Sequence, residues 1–281
     1  MYSGRTLLVV LLVLSAANAE FILERVEVRI SDIQHDGSVK VTENIKMIIT
    51  GEHSSSLYDS GYSGYYNNDL SFWSTTTELK DVKQHLNPSC VQIKDFRLKP
   101  QPRGKCNPVQ DLCHGELILE YAALPSYNRS GDTQVAIPGT GVFTIEEYKP
   151  RTKRYMLNPE ALYFTTTEQG NIILGERVYF IIDLPQDAVV YDVNPLPRDV
   201  ELELPSKVGE LSWNDMILVK FSLVFDVEES LQEEVSNFFI ELASGIDTLI
   251  RGEYGFAVMI ITVILIGGYL YINMAKRKKE E

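Results

Sequence analysis

Residues 254–274, YGFAVMIITVILIGGYLYINM, contain no Asp, Glu, Lys, Arg or His. As a helix rising about 1.5 Å per residue, a stretch of this length covers roughly 31 Å, the thickness of a bilayer's hydrocarbon core. It predicts a transmembrane helix. The tail that follows, residues 275–281, places Lys276, Arg277, Lys278 and Lys279 at one end of the span. Basic residues on that side predict a cytoplasmic tail, with everything before residue 254 outside the cytoplasm. The span holds no charge for an ion or proton path and no GxxxG pair, so it reads as a tether.

The N-terminus carries a shorter apolar run, residues 7–14, preceded by Arg5 and followed by Ala17-Asn18-Ala19. That order predicts a signal peptide over residues 1–19, cleaved before Glu20. The expected topology is a type I single-pass protein at a cell membrane with its N-terminus outside. The final Lys-Lys-Glu-Glu, with Lys278 and Lys279 four and three residues from the end, also matches a dilysine retrieval signal, which in a eukaryote would mean the endoplasmic reticulum membrane.

About 230 residues remain for the exported part, enough for one large or two small domains. Of the 26 basic and 39 acidic residues in the chain, setting aside Arg5 and the tail leaves 21 basic and 37 acidic, a net charge of −16. Such a surface repels phosphate backbones and anionic headgroups, which disfavours nucleic acid as a partner. The three cysteines, Cys90, Cys106 and Cys113, all fall in this part. An oxidising compartment permits one disulfide, and Cys106 with Cys113 closes the shortest loop. No CxxC or HxxxH spacing supports a metal site, and no cofactor is expected.

Between residues 25 and 49 the period is two. Val26, Val28 and Ile30 alternate with polar residues, His35-Asp36-Gly37-Ser38 supplies a turn, and Val39, Val41, Ile45, Met47 and Ile49 resume the alternation. This predicts a β-hairpin, with Glu43 on its apolar face, where a carboxylate must be paired, hydrogen-bonded or displaced by a bulge. Further strand-like segments at 91–98, 116–124, 142–148, 162–167, 177–184, 188–193, 200–204 and 216–227 are separated by Pro or Gly. The expected fold is mainly β: an antiparallel β-sandwich ectodomain, as one large or two small sandwiches. An N-terminal β-domain (20–125), a linker (126–141) and a C-terminal sandwich (142–227) are expected to precede an amphipathic juxtamembrane helix (228–253). Leu231, Val235, Phe238, Leu242 and Leu249 form that helix's apolar stripe, which offers a seam for a homodimer through 228–250.

One stretch, residues 54–74, is rich in Ser, Gly, Asn and Tyr and almost without aliphatic residues. Tyr58, Tyr62, Tyr65, Tyr66, Phe72 and Trp73, set among small polar residues, resemble the composition of recognition loops, and predict a loop that captures a protein or glycan outside the cytoplasm. A short helix is expected after it over 75–86, from Leu79, Val82 and Leu86. Asn128-Arg129-Ser130 is a glycosylation sequon; Asn87 is followed by Pro88 and is not one.

The segment Asp36-Gly37-Ser38, followed by Val41-Thr42-Glu43-Asn44-Ile45, resembles the opening of the exported domain in YciQ-like predicted membrane proteins of prokaryotes. That is a family of unknown function, so the resemblance implies a β-domain and no activity. HExxH, GxSxG, GxxxxGKS and the dinucleotide glycine fingerprint are absent, and His35, His53, His85 and His114 have no ligand or base spacing. The expectation is an anchored binding or scaffolding module and not an enzyme, with a tethered hydrolase working through paired carboxylates as the alternative.

Overall fold

The computed structural model describes residues 20–228 apart from 108, 110, 131–132, 138, 150 and 199–201, and the side chains of 127–136 are also left aside. The expected leader, juxtamembrane helix, membrane span and tail, with Lys278 and Lys279, lie outside the described residues. Among the described residues no helix is long and apolar enough to cross a membrane.

Strands β1 (Glu20–Ser31) and β2 (Val39–Thr50) form the expected hairpin. Gly37, at φ 82°, takes the left-handed turn position that residues with a Cβ avoid, and Gln34 N–H donates to Ser38 O across the turn. β3 (Gln92–Pro100) and β4 (Leu112–Leu124) extend the sheet on the β2 side. β10 (Ile172–Asp183) runs parallel to β1 on the other side, flanked by β9 (Thr165–Thr166) and β13 (Glu210–Leu218). The resulting order is β13-β10-β1-β2-β4-β3, with β9 pairing to β10 off this path.

A second sheet, in the order β12-β11-β14-β8-β7, joins β7 (Phe143–Lys149), β8 (Thr152–Leu157), β11 (Val189–Asn194), β12 (Ser206–Lys207) and β14 (Ser222–Glu228). A two-stranded ribbon, β5 (Tyr127–Ser130) with β6 (Thr133–Ala136), carries the Asn128 backbone. The fold is therefore mainly β, with two principal sheets. Strands from both sides of residues 126–141 share the larger sheet, because β1 needs a neighbour on each edge and finds one in β10.

One face of the larger sheet is apolar except at Glu43: Val26, Val28 and Ile30 on β1, Val41, Ile45, Met47 and Ile49 on β2, and Leu117, Leu119 and Ala123 on β4 are buried. The opposite face is charged, as a sheet with one solvated side requires. There Arg29 pairs with Asp183 (2.6 Å) and Glu210 (2.9 Å). On the second sheet Phe143, Tyr155 and Phe225 pack together, and Arg154 makes two hydrogen bonds to Asp226, at 2.7 and 2.9 Å.

Two sequence expectations are corrected here. Residues 216–227 are not one strand. The chain turns at Lys220, whose φ is 49°, and β13 and β14 enter different sheets. Asn194 Nδ2 donates to Val219 O and Lys220 O and so holds the turn, which leaves Ile217 and Val219 about half exposed. The expected helix over 75–86 also fails, because helix ends at Thr77, where Glu78 takes a left-handed cap conformation with its N–H on Ser74 O.

Candidate functional site

At the end of the larger sheet where β2 closes, Gly51 (φ 82°) turns the chain out of the strand and into helix α1 (Gly51–Ser63). α1 lacks an aliphatic stripe. Its buried positions are Ser54, Ser55, Tyr58 and Gly61, a single face at helical spacing. Tyr58 is the anchor. Its ring fills the space over Gly115, where an added Cβ would stand 2.6 Å from Tyr58 Cε2. Its hydroxyl accepts from Glu116 N–H (3.0 Å), with Gln101 O (2.8 Å) and Glu116 O (3.1 Å) as its own acceptors. Burial pushes the phenol up to about 12.

Helix α2 (Leu70–Thr77) starts at Asp69, whose carboxylate accepts from Ser71 N–H (2.9 Å) and the Ser71 hydroxyl (2.7 Å). These bonds hold the Asp69 carboxyl below the usual range. Trp73 is fully buried beside Tyr58, with ring centroids 5.1 Å apart, and its Nε1 donates to Asn67 O (2.8 Å). Gly61 allows the close approach of the two helices, since a Cβ there would lie 2.8 Å from Phe72 and 2.9 Å from Trp73.

The six aromatic residues expected to form one recognition loop therefore divide. Tyr58 and Trp73 are buried anchors rather than contact residues, because the small residues around them line a helix pair and let the rings sink into the sheet. Phe72 is partly buried and stacks with Tyr66, their centroids 6.2 Å apart. Tyr62, Tyr65 and Tyr66 stay outside, at 38, 90 and 59% exposure. Tyr62 lies in the last turn of α1, and Tyr65 and Tyr66 sit on the turn after it, which is fixed by the Trp73 to Asn67 bond and by Asp69 N–H on Tyr66 O (3.0 Å).

Beside α1 the expected Cys106–Cys113 disulfide is present. Arg103 lies between it and α1. Its Nε and Nη2 donate to the Asp59 carboxylate, and its Nη1 points at Cys106 Sγ (2.7 Å) and Cys113 Sγ (3.1 Å). The Asp59 bonds raise the guanidinium's pKa above its ordinary value. Cys90 is a free cysteine elsewhere in the fold.

Within the core, Glu43 is held from three directions. His85 N–H donates to Oε1 (2.9 Å), His85 Nδ1 lies 2.7 Å from Oε2, and the Tyr121 hydroxyl donates to Oε1. Tyr121 reaches Glu43 diagonally, since Val41 pairs with Tyr121 and Glu43 with Leu119 across the β2–β4 ladder. His85 O accepts from Tyr163 N–H (2.7 Å), and the ring packs against Phe164. Its Nε2 stands 4.0 Å from Asp81 Oδ1, an ionic rather than a hydrogen-bonded distance.

Burial pulls the imidazole's pKa down, but Glu43 and Asp81 more than offset it and leave His85 at about 9. Burial and then Glu43 push the Tyr121 phenol well up, while His85 draws the Asp81 carboxyl down. Glu43 and His85 are shut off from solvent. The arrangement can hold an internal ion pair but cannot meet a substrate as it stands. Spacing of histidines gave no sign of it; the parity of Glu43 did.

No protein-family model matches the chain. No curated protein matches it either. Among solved structures, the fold is similar to yeast LTA4 hydrolase in complex with bestatin, at 7% identity and a TM-score of 0.30 over 74% of this chain. It is also similar to native leukotriene A4 hydrolase from Saccharomyces cerevisiae (8%, TM-score 0.28, 74% of this chain). A third likeness is to Legionella pneumophila aminopeptidase A in complex with aspartic acid (11%, TM-score 0.23, 73% of this chain). The chain spans 29% of the length of the two hydrolases and 21% of the aminopeptidase. Likenesses of this size carry no inference about activity.

Proposed function

We propose that this chain is an anchored binding module: an acidic β-sandwich region, tethered through residues 228–253 and the 254–274 span, that captures a protein or glycan outside the cytoplasm as a subunit of a membrane complex. The observation that supports this reading is the exposed surface made by Tyr62 at the end of α1 with Tyr65 and Tyr66 on the turn after it. Three exposed rings sit on backbone already ordered by buried Tyr58 and Trp73, so their contact area is offered with little further loss of entropy. No Lys or Arg lies between Gly51 and Leu79, and of the acids there Asp59 is met by Arg103 while Glu52, Asp69 and Glu78 add negative charge, so the matching face of a partner is basic.

Cross-linking the full chain in its native membrane, followed by identification of what co-purifies, tests the reading. Replacing Tyr62, Tyr65 and Tyr66 together by Ser should remove the captured partner while the circular dichroism spectrum is retained. A partner captured equally by the triple variant would reject the three tyrosines as the recognition surface.

A further inference from the structure

The two sulfurs of the disulfide are unequal. Cys106 is exposed, and Cys113 is almost fully buried, with the Ser55 hydroxyl 3.7 Å from its sulfur. An incoming thiolate therefore has access to Cys106 alone. The Arg103 guanidinium is turned so that Asp59 takes Nε and Nη2 while Nη1 faces both sulfurs. A donor in that place stabilises negative charge on a departing sulfur, and a better stabilised thiolate is a faster leaving group.

We propose that Cys106–Cys113 is a thiol–disulfide exchange site for a dithiol reductant, entered at Cys106 and left at Cys113, with Arg103 as the residue that assists departure. A thiolate of the reductant attacks Cys106 Sγ. The electron pair of the Cys106–Cys113 bond leaves with Cys113, whose thiolate is met by Arg103 Nη1 and the Ser55 hydroxyl. The second thiol of the reductant, as thiolate, then attacks its own sulfur in the mixed disulfide and expels Cys106 as thiolate. Two electrons pass to the protein, the reductant ends as its own disulfide, and its two protons end on the two cysteines or in solvent.

The surrounding backbone makes the exchange reversible. Asn107 N–H donates to Leu112 O and Gly104 N–H to His114 O, each at 2.8 Å, so the hairpin carrying both cysteines is closed by bonds independent of the sulfurs. Reduced, the two thiols stay within reach of each other. Asp59 moderates the site, because its carboxylate compensates the guanidinium charge that would otherwise act on the sulfurs in full.

The experiment uses the full chain in detergent micelles with Cys90 alkylated beforehand. A monothiol probe, 2-mercaptoethanol, is added in a brief pulse, the reaction is quenched with acid, and the position of the mixed disulfide is read by mass spectrometry. The adduct is expected on Cys106. An adduct on Cys113 overturns the proposal without any variant. With dithiothreitol as reductant, Arg103→Met should slow opening roughly threefold to tenfold, and Asp59→Asn, which frees the guanidinium charge, should hasten it several-fold. Arg103→Lys, which keeps the charge, should recover part of the rate. Opening by Arg103→Met at an unchanged or greater rate would show that Arg103 merely packs the loop, and the assignment would fall.

Discussion

Glu43 and His85, one from the centre of the larger sheet and one from the irregular segment after α2, meet at 2.7 Å with neither exposed to water. A pair so placed has given up hydration on both sides. Its value lies in mutual attraction and in the further bonds from His85 N–H and Tyr121. It joins the 78–91 segment to the sheet through one carboxylate.

The pair makes stability depend on pH. His85 is raised from an unfolded value of 6.5 to about 9, so its stabilisation is fully present below pH 6.5 and is lost as pH rises through 9. The urea midpoint of the region 20–228 should therefore fall between pH 6.5 and 9.5. In His85→Gln the fall over that window should largely vanish; an equally steep fall would locate the titration elsewhere.

Removing one partner should cost more than removing all three polar groups. Glu43→Leu leaves His85 N–H, the imidazole and the Tyr121 hydroxyl without their acceptor and should lose about 3–5 kcal/mol. The triple replacement Glu43→Leu, His85→Leu, Tyr121→Phe should be more stable than Glu43→Leu alone. Chemical denaturation of the three proteins decides it, and a less stable triple variant would mean that shape rather than charge governs the site.

Tyr58 offers a finer test of how α1 is seated. Tyr58→Phe keeps the ring over Gly115 but leaves Glu116 N–H without its acceptor, a loss of about 1–3 kcal/mol. Gly115→Ala puts a methyl group into the Tyr58 ring and against Ile49, and should displace α1. Hydrogen exchange across residues 51–63 should rise sharply in Gly115→Ala and only modestly in Tyr58→Phe.

At the crossing between sheets, Asn194→Ala removes the amide that ties Val219 O and Lys220 O. The expected loss is on the order of 1 kcal/mol, with faster exchange confined to the 218–222 turn. Exchange spreading through β11 and β14 would show that Asn194 supports the whole second sheet.

What could be read in advance was what the chain writes locally. The alternation of Val26, Val28 and Ile30 with their neighbours is a period-two signal, and the same parity placed Glu43 inside. Cys106 and Cys113 were legible because few cysteines leave few choices. His85 was not, because its role comes from backbone drawn out of the expected 75–86 helix to meet a carboxylate some forty residues earlier. Tyr58 and Trp73 were misplaced for a related reason. Serine and glycine around an aromatic ring suit a loop or a thin helix equally, and only a slot such as Gly115 on a distant strand decides between them. The turn at Lys220 was hidden because Ile217 and Val219 continue the apolar period on either side of it.

The parallel pairing of β1 with β10 places the first described strand in the middle of the larger sheet, with Val28 opposite Phe180. A chain made from its N-terminus must therefore hold β1 and β2 with an open apolar flank until β10, which ends at Asp183, has emerged. Completion of the sheet is bound to be late in synthesis, and any product cut short before β10 carries an unpaired, strongly adhesive edge. Such truncated chains should be the ones that a quality-control chaperone retains.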